Sequence, residues 1–136
     1  MKKMNPVVHF EMAAKDRNRM REFYSKAFGW ESKQLGAEMG DYVLVTTTES
    51  SEIGCPKENG RINGGFYQYK ADWPNQYPSV VIAVDDIKES MKDVEKSGGK
   101  NLGEPMEIPG VGLYVSFLDS EGNRVSMMQA FKNNKS

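Results

Sequence analysis

Residues 6–30, PVVHFEMAAKDRNRMREFYSKAFGW, read as a strand feeding a helix, and the remainder of the chain follows from that unit. From Val7 to Met12 apolar and polar side chains alternate, with Val8, Phe10 and Met12 on one face and His9 and Glu11 on the other, the period-two pattern of a strand. Asp16 supplies an acceptor for the unpaired N–H groups of a helix start. Met20, Phe23, Tyr24, Ala27 and Phe28 then recur three and four apart and form one stripe, while Arg17, Arg19, Arg21 and Lys26 turn away from it. Gly29 closes the helix, because a left-handed residue ends a helix most cheaply as glycine. The apolar strand face and the helix stripe bury each other, which leaves His9 and Glu11 on the opposite side of the sheet.

The same unit returns 70 residues later. Glu31–Leu35 and Tyr42–Thr48 read as strands around a turn at Gly36–Asp41, and Ile62–Tyr69 as a further strand in which Gly64 and Gly65 admit a close neighbour. The polar stretch Glu49–Gly60 between them lacks periodicity and reads as a flap-like loop. Lys70–Pro78 is a connector. Ser79–Val84 is the next strand, Asp86 and Glu89 make a D-x-x-E capping box, and Ile87, Met91 and Val94 form a stripe ending at Gly98–Gly99. Asp16 maps onto Asp86, Gly29 onto Gly99 and His9 onto Ser79 at one offset. Strands are then expected at Lys100–Ile108, Leu113–Leu118 and Arg124–Phe131, with turns at Pro109–Gly112 and Asp119–Asn123 and a frayed tail from Asn133 to Ser136.

Bulk properties narrow the function. A chain of 136 residues fits one domain over residues 1–136, with a first module at about 6–70 and a second at about 78–131. Eighteen basic against 19 acidic residues give a net charge of -1, so no basic field for nucleic acid exists. No apolar run approaches a membrane span and the N-terminus lacks a signal-peptide core, so a cytoplasmic protein is expected. The single cysteine, Cys55, leaves no internal disulfide, and a thiol between Gly54 and Pro56 reads as tolerated rather than nucleophilic.

The expected fold is therefore α+β: two βαβββ modules forming a cupped mixed sheet, with helices on the convex face and an open concave face. Small-molecule sites are concave and mostly apolar with a few placed polar groups. Inward positions carry His9, Glu11, Gly65, Tyr67, Tyr69, Ser126 and Met128. His9, the only histidine, is a candidate acid, base or anchor; as plain structure it is a half-buried strand residue satisfied by Glu11 or by backbone. Glu11 is either a base walled by tyrosine rings or a solvated glutamate at the mouth of the cup. Tyr67, Tyr69, Trp30 and Tyr42 are candidates to line or rim the hollow.

The pieces VVHFEMAAKD, REFYSKAFGWE, INGGFYQY, VIAVDD, VEKSGGK, IPGVG and FLDSEGN together resemble the vicinal oxygen chelate superfamily, which holds glyoxalase I, the bleomycin and fosfomycin resistance proteins and the extradiol dioxygenases. The resemblance runs from about Pro6 to Gln129 and is nearest to the small glyoxalase-like proteins of bacteria. It implies paired βαβββ modules, a ligand in the cup and a homodimer. It also implies metal-ligand positions, which fall here at His9, Gly65, Ser79 and Ser126, so only His9 carries a suitable donor, with Glu11 beside it on the same strand face. The expectation is a glyoxalase/bleomycin-resistance-like protein that binds a small organic molecule, with no resident cofactor and no metal residue assigned. The alternatives are a metal-dependent lyase or isomerase of the glyoxalase I type, in which His9 and Glu11 hold a divalent cation, and a metal-free enzyme with Glu11 or His9 as base.

Overall fold

A computed structural model of the chain describes residues 3–52 and 54–131, so the tail at 133–136 lies outside the described residues. The chain divides into two compact units. His9 to Pro78 make one, and the residues up to Val8 together with those from Ser79 make the other.

The first unit takes β1 (Val7–Ala14) from His9 onward, which leads into α1 (Arg17–Phe28), followed by β2 (Glu31–Gln34), a 3-10 turn at Ala37–Met39, β3 (Val43–Thr46) and β4 (Asn63–Gln68). The helix starts where the sequence places it: Asp16 Oδ1 accepts from Arg19 N at 3.0 Å. It stops at Gly29, whose φ of 72° is the left-handed cap. The strand order is β2-β3-β4-β1, with β1 parallel to β4 and the other pairs antiparallel. Ala14, Val43, Val45 and Phe66 are buried beneath Phe10, Met12, Met20, Tyr24 and Trp30 on the helix side of the sheet.

Two expectations change here. Only Met20 and Tyr24 of the α1 stripe meet that core, whereas Phe23 and Phe28 are 57% and 65% exposed. Trp30 explains the difference, since its indole stacks on the Tyr24 ring at 4.6 Å and 10° and fills the helix side of the sheet. Phe23 and Phe28 lie edge-on to each other further round the helix. Trp30 thus belongs to the core and is no rim residue of the His9 face.

The second unit runs β5 (Ser79–Ala83), α2 (Ile87–Lys96), β6 (Lys100–Asn101), β7 (Met106–Ile108), β8 (Gly112–Leu118) and β9 (Arg124–Ala130). Its order is β5-β9-β8-β6, with β7 also on β8 and β5 parallel to β9. Asp86 Oδ1 caps α2 through Glu89 N at 3.2 Å. Ile87, fully buried, leads a core of Val84, Val115, Phe117 and Met127. The expected strand over 100–108 is two short strands instead: Gly103 takes φ 117° and Pro105 has no N–H to give, so the ladder to β8 breaks between them. The start of the chain belongs to this unit, where Ala83 N donates to Pro6 O at 2.9 Å. Among the described residues no helix is long and apolar enough to cross a membrane.

Candidate functional site

The face of the first unit turned away from α1 carries the chemistry. Register sets it: Glu11 stands opposite Gly65, which in turn stands opposite Leu44. Residues two apart on a strand share a face, so His9, Glu11, Gly65 and Tyr67 lie on one side while Phe10, Met12 and Phe66 lie on the other. Tyr42, just before β3, reaches across from that strand. Its hydroxyl donates to Glu11 Oε2 at 2.9 Å and lies 3.1 Å from His9 Nε2. With the phenolic proton given to Glu11, the histidine contact is closed by Nε2–H donating to Tyr42 Oη. The three side chains form one hydrogen-bonded chain, His9 to Tyr42 to Glu11.

Burial decides what these groups are. Glu11 is 6% exposed, so it is a buried carboxylate with a tyrosine donor and not the solvated glutamate of an open mouth. His9 is half-buried, and desolvation lowers its imidazole from the usual 6.5 to about 4, which leaves the ring neutral at physiological pH. Its partner is Tyr42, a choice the reading of His9 as satisfied by Glu11 or backbone did not include.

Gly64 and Gly65 make the arrangement possible from both sides. A Cβ at Gly64 would stand 2.5 Å from the Phe10 ring on the core face. A Cβ at Gly65 would stand 2.0 Å from Tyr42 Oη. The phenol therefore lies in a slot that a side chain at position 65 would occupy, and the close neighbour foreshadowed by the glycine pair is protein on both faces. This was the signal for Tyr42 in the sequence; it pointed to a close approach without naming the group.

The rest of the face is aromatic and tethered. Tyr67 lies 6.2 Å from Trp73 of the connector, ring to ring. Tyr69 falls beyond the end of β4, 39% exposed, with Lys15 Nζ 5.3 Å above its ring, so it is a rim residue. At the other end of β4 the buried Asn63 accepts from Thr47 N at 2.9 Å and donates to Ser50 Oγ and Gly54 O. The loop expected as a flap is thus pinned to the strand that carries Gly65.

Ser126 and Met128 belong to the other unit. Ser126 is 2% exposed, and its Oγ lies 2.7 Å from Tyr114 Oη and 2.8 Å from Ser116 Oγ, a buried hydroxyl cluster. Met128 is half-buried and registers with Tyr114 and Ala83.

A divalent cation does not fit this donor set. Position 65 offers no donor and its space is filled by Tyr42, while the Ser126 hydroxyl is engaged with Tyr114 and Ser116. Among the described residues no three His, Cys, Asp or Glu side chains converge as a metal site would need.

Comparison with known proteins adds the following. Residues 7–127 match the model of the Glyoxalase/Bleomycin resistance protein/Dioxygenase superfamily. A glyoxylase-like domain-containing protein of Didymella fabae is 30% identical over 115 residues, 83% of this chain and 84% of the relative. A probable chloroplastic lactoylglutathione lyase of Arabidopsis thaliana is 27% identical over 119 residues, 86% of this chain but 33% of that protein, so the chain spans about a third of it. Among solved structures, a variant methylmalonyl-CoA epimerase of Streptomyces coelicolor superposes with a TM-score of 0.66 over 98% of this chain and 100% of that one. A glyoxalase/bleomycin resistance/dioxygenase superfamily member from Vibrio splendidus reaches 0.60 over 93% and 99%. At 14% and 16% identity these two likenesses concern the fold.

Proposed function

Because the chain belongs to the glyoxalase/bleomycin resistance/dioxygenase superfamily, we propose that it binds a small carbonyl compound against the His9 face and moves a proton there without a metal, with Glu11 as the base. The observation that carries this reading is the burial of Glu11 under the Tyr42 hydroxyl. A carboxylate in such a place is removed from bulk water yet hydrogen-bonded, the setting in which a general base works on a carbon acid next to a carbonyl. A neutral His9 can donate a hydrogen bond or take a proton, and Tyr67 beside Trp73 offers an aromatic wall to the ligand.

Lactoylglutathione and methylmalonyl-CoA, the compounds named in two of the relatives, are thioesters, so acyl thioesters lead the set of compounds to try, followed by 2-hydroxy and 2-oxo acids. The test is proton exchange in heavy water, followed by NMR at the carbon next to the carbonyl. The protein should catalyse exchange on at least one compound, and Glu11→Gln should slow it by roughly 100-fold or more. Absence of exchange across the set, or equal exchange by the variant, would remove Glu11 as the base. Binding without exchange would leave a sequestering protein, the use of the same face that Tyr67 and Trp73 support.

A further inference from the structure

We infer that Tyr42 is the third working member of this site, a positioning residue that joins Glu11 and His9 into one proton path through the slot left by Gly65. Two independent observations carry it. The first is the chain of contacts, 3.1 Å from His9 Nε2 to the phenol and 2.9 Å from the phenol to Glu11 Oε2. The second is the slot itself: position 65 must lack a side chain for the phenol to be there, because a Cβ would lie 2.0 Å from Oη and 2.1 Å from two ring carbons. Tyr42 approaches over β4 from the far strand, so nothing in β1 alone brings Glu11 and His9 onto a common partner. Their own side chains start about 6.6 Å apart along the strand, two residue rises.

The path gives the buried base a route for its proton. It rests on the reading of Glu11 as a proton acceptor. When Glu11 has taken a proton, His9 first changes tautomer through water, Nδ1 taking one proton as Nε2 gives one up; Glu11 Oε2–H then donates to Tyr42 Oη and Tyr42 Oη–H to the freed His9 Nε2. Three coupled transfers then move the carboxyl proton to Tyr42, the phenolic proton to Nε2 and the Nδ1 proton to water. One proton has entered and one has left; Tyr42 and His9 end neutral and Glu11 ends as the carboxylate. The final arrangement, with Nε2–H donating to Tyr42 and Tyr42 donating to Glu11, fits the contacts of 3.1 and 2.9 Å. The neutral imidazole that burial enforces suits the step, since a ring carrying both protons would have no nitrogen free to accept one.

The chain has a single histidine, so its imidazole nitrogens give one unambiguous pair of NMR signals. The experiment measures how fast the Nε2-bound proton of His9 exchanges with water in 15N-labelled protein at neutral pH, with no ligand present. In the unmodified protein that proton should be protected. Tyr42→Phe, which keeps the ring in its slot, should speed exchange by about tenfold or more, the loss of one hydrogen bond. Gly65→Ala should do the same while leaving the hydroxyl in the sequence, because the added methyl displaces the ring. The decisive arm is Glu11→Leu, which should change the exchange rate in the parent and leave it within about twofold in the Tyr42→Phe background. An equal effect of Glu11→Leu in both backgrounds would overturn the path, as would unchanged protection in Gly65→Ala. The urea midpoint of each variant shows that it is folded. Protection and coupling with no carbon-acid exchange would remove the proposed reaction and keep the path; exchange without coupling would do the reverse.

Discussion

The two modules place a tyrosine at the same point and do different things with it. In the first, Tyr42 precedes Leu44 by two residues, Leu44 pairs with Gly65, and Gly65 pairs with Glu11. In the second, Tyr114 precedes Ser116 by two, Ser116 pairs with Ser126, and Ser126 pairs with Val81. Glu11 and Val81 are related by the same 70-residue offset that relates Asp16 to Asp86. Both phenols are thus aimed over the strand that runs parallel to the first strand of the module. In the first module glycine lets the hydroxyl pass to a buried carboxylate; in the second, Ser126 intercepts it at 2.7 Å and a valine stands behind. The duplicated scaffold fixes where a hydroxyl can be delivered, and two residues of each module decide whether it meets an ionisable group.

The largest effects should come from the two cores, which the comparison treats as equivalent. Phe66 neighbours Gly65 and is fully buried on the helix side, so Phe66→Ala should cost about 3–5 kcal/mol in urea unfolding. Ile87→Ala should cost about 2–5 kcal/mol in the second module. A loss below about 1 kcal/mol for either would show that its core does not hold its module.

Acid response should separate the modules next. The His9 imidazole is held at about 4 in the fold against an ordinary 6.5, so as pH falls through 6.5 the unfolded chain takes up a proton that the folded chain refuses. Stability is therefore lost as pH drops from 6.5 toward 4, by about 3 kcal/mol in all, and is unaffected by this group above 6.5. His9→Gln should flatten that part of the profile, measured as urea midpoints across pH. A profile unchanged by the substitution would place the imidazole in water.

How much of this could be read from the sequence follows from range. The β1–α1 unit, its caps at Asp16 and Gly29 and its recurrence from Ser79 through the Asp86 cap are local patterns that the structure repeats, except that α2 ends at Lys96 with Ser97 as its cap, two residues before the Gly99 expected to match Gly29. That His9 and Glu11 share the strand face away from the helix stripe was legible for the same reason. The state of those residues was not. Tyr42 stands 31 positions from Glu11, and its hydroxyl arrives only because the β3–β4–β1 register aligns with a glycine in the middle strand. The failure at α1 has the same origin: periodicity counts apolar positions but cannot show that Trp30 fills the space Phe23 and Phe28 would have used.

Gly65→Ala tests the slot by stability as well. Moving the phenol leaves the buried Glu11 without that donor, a loss of about 1–3 kcal/mol. Tyr42→Phe should cost less than Gly65→Ala, since it removes the hydroxyl without forcing the ring into its neighbours.

The smallest effect is the sharpest comparison. Tyr114→Phe and Ser126→Ala should each cost about 0.5–1.5 kcal/mol, because both partners are neutral hydroxyls. A double-mutant cycle on that pair isolates their coupling, and the same cycle on Tyr42→Phe with Glu11→Leu isolates the other. A hydrogen bond to an ionised group is worth about 1.5–3 kcal/mol against about 1 for a neutral pair, so the first-module coupling should be the larger by roughly twofold at neutral pH. Equal couplings at neutral pH would mean that Glu11 already holds its proton in the resting protein. The module would then begin as a proton donor, and the base of the proposed reaction would have to be His9.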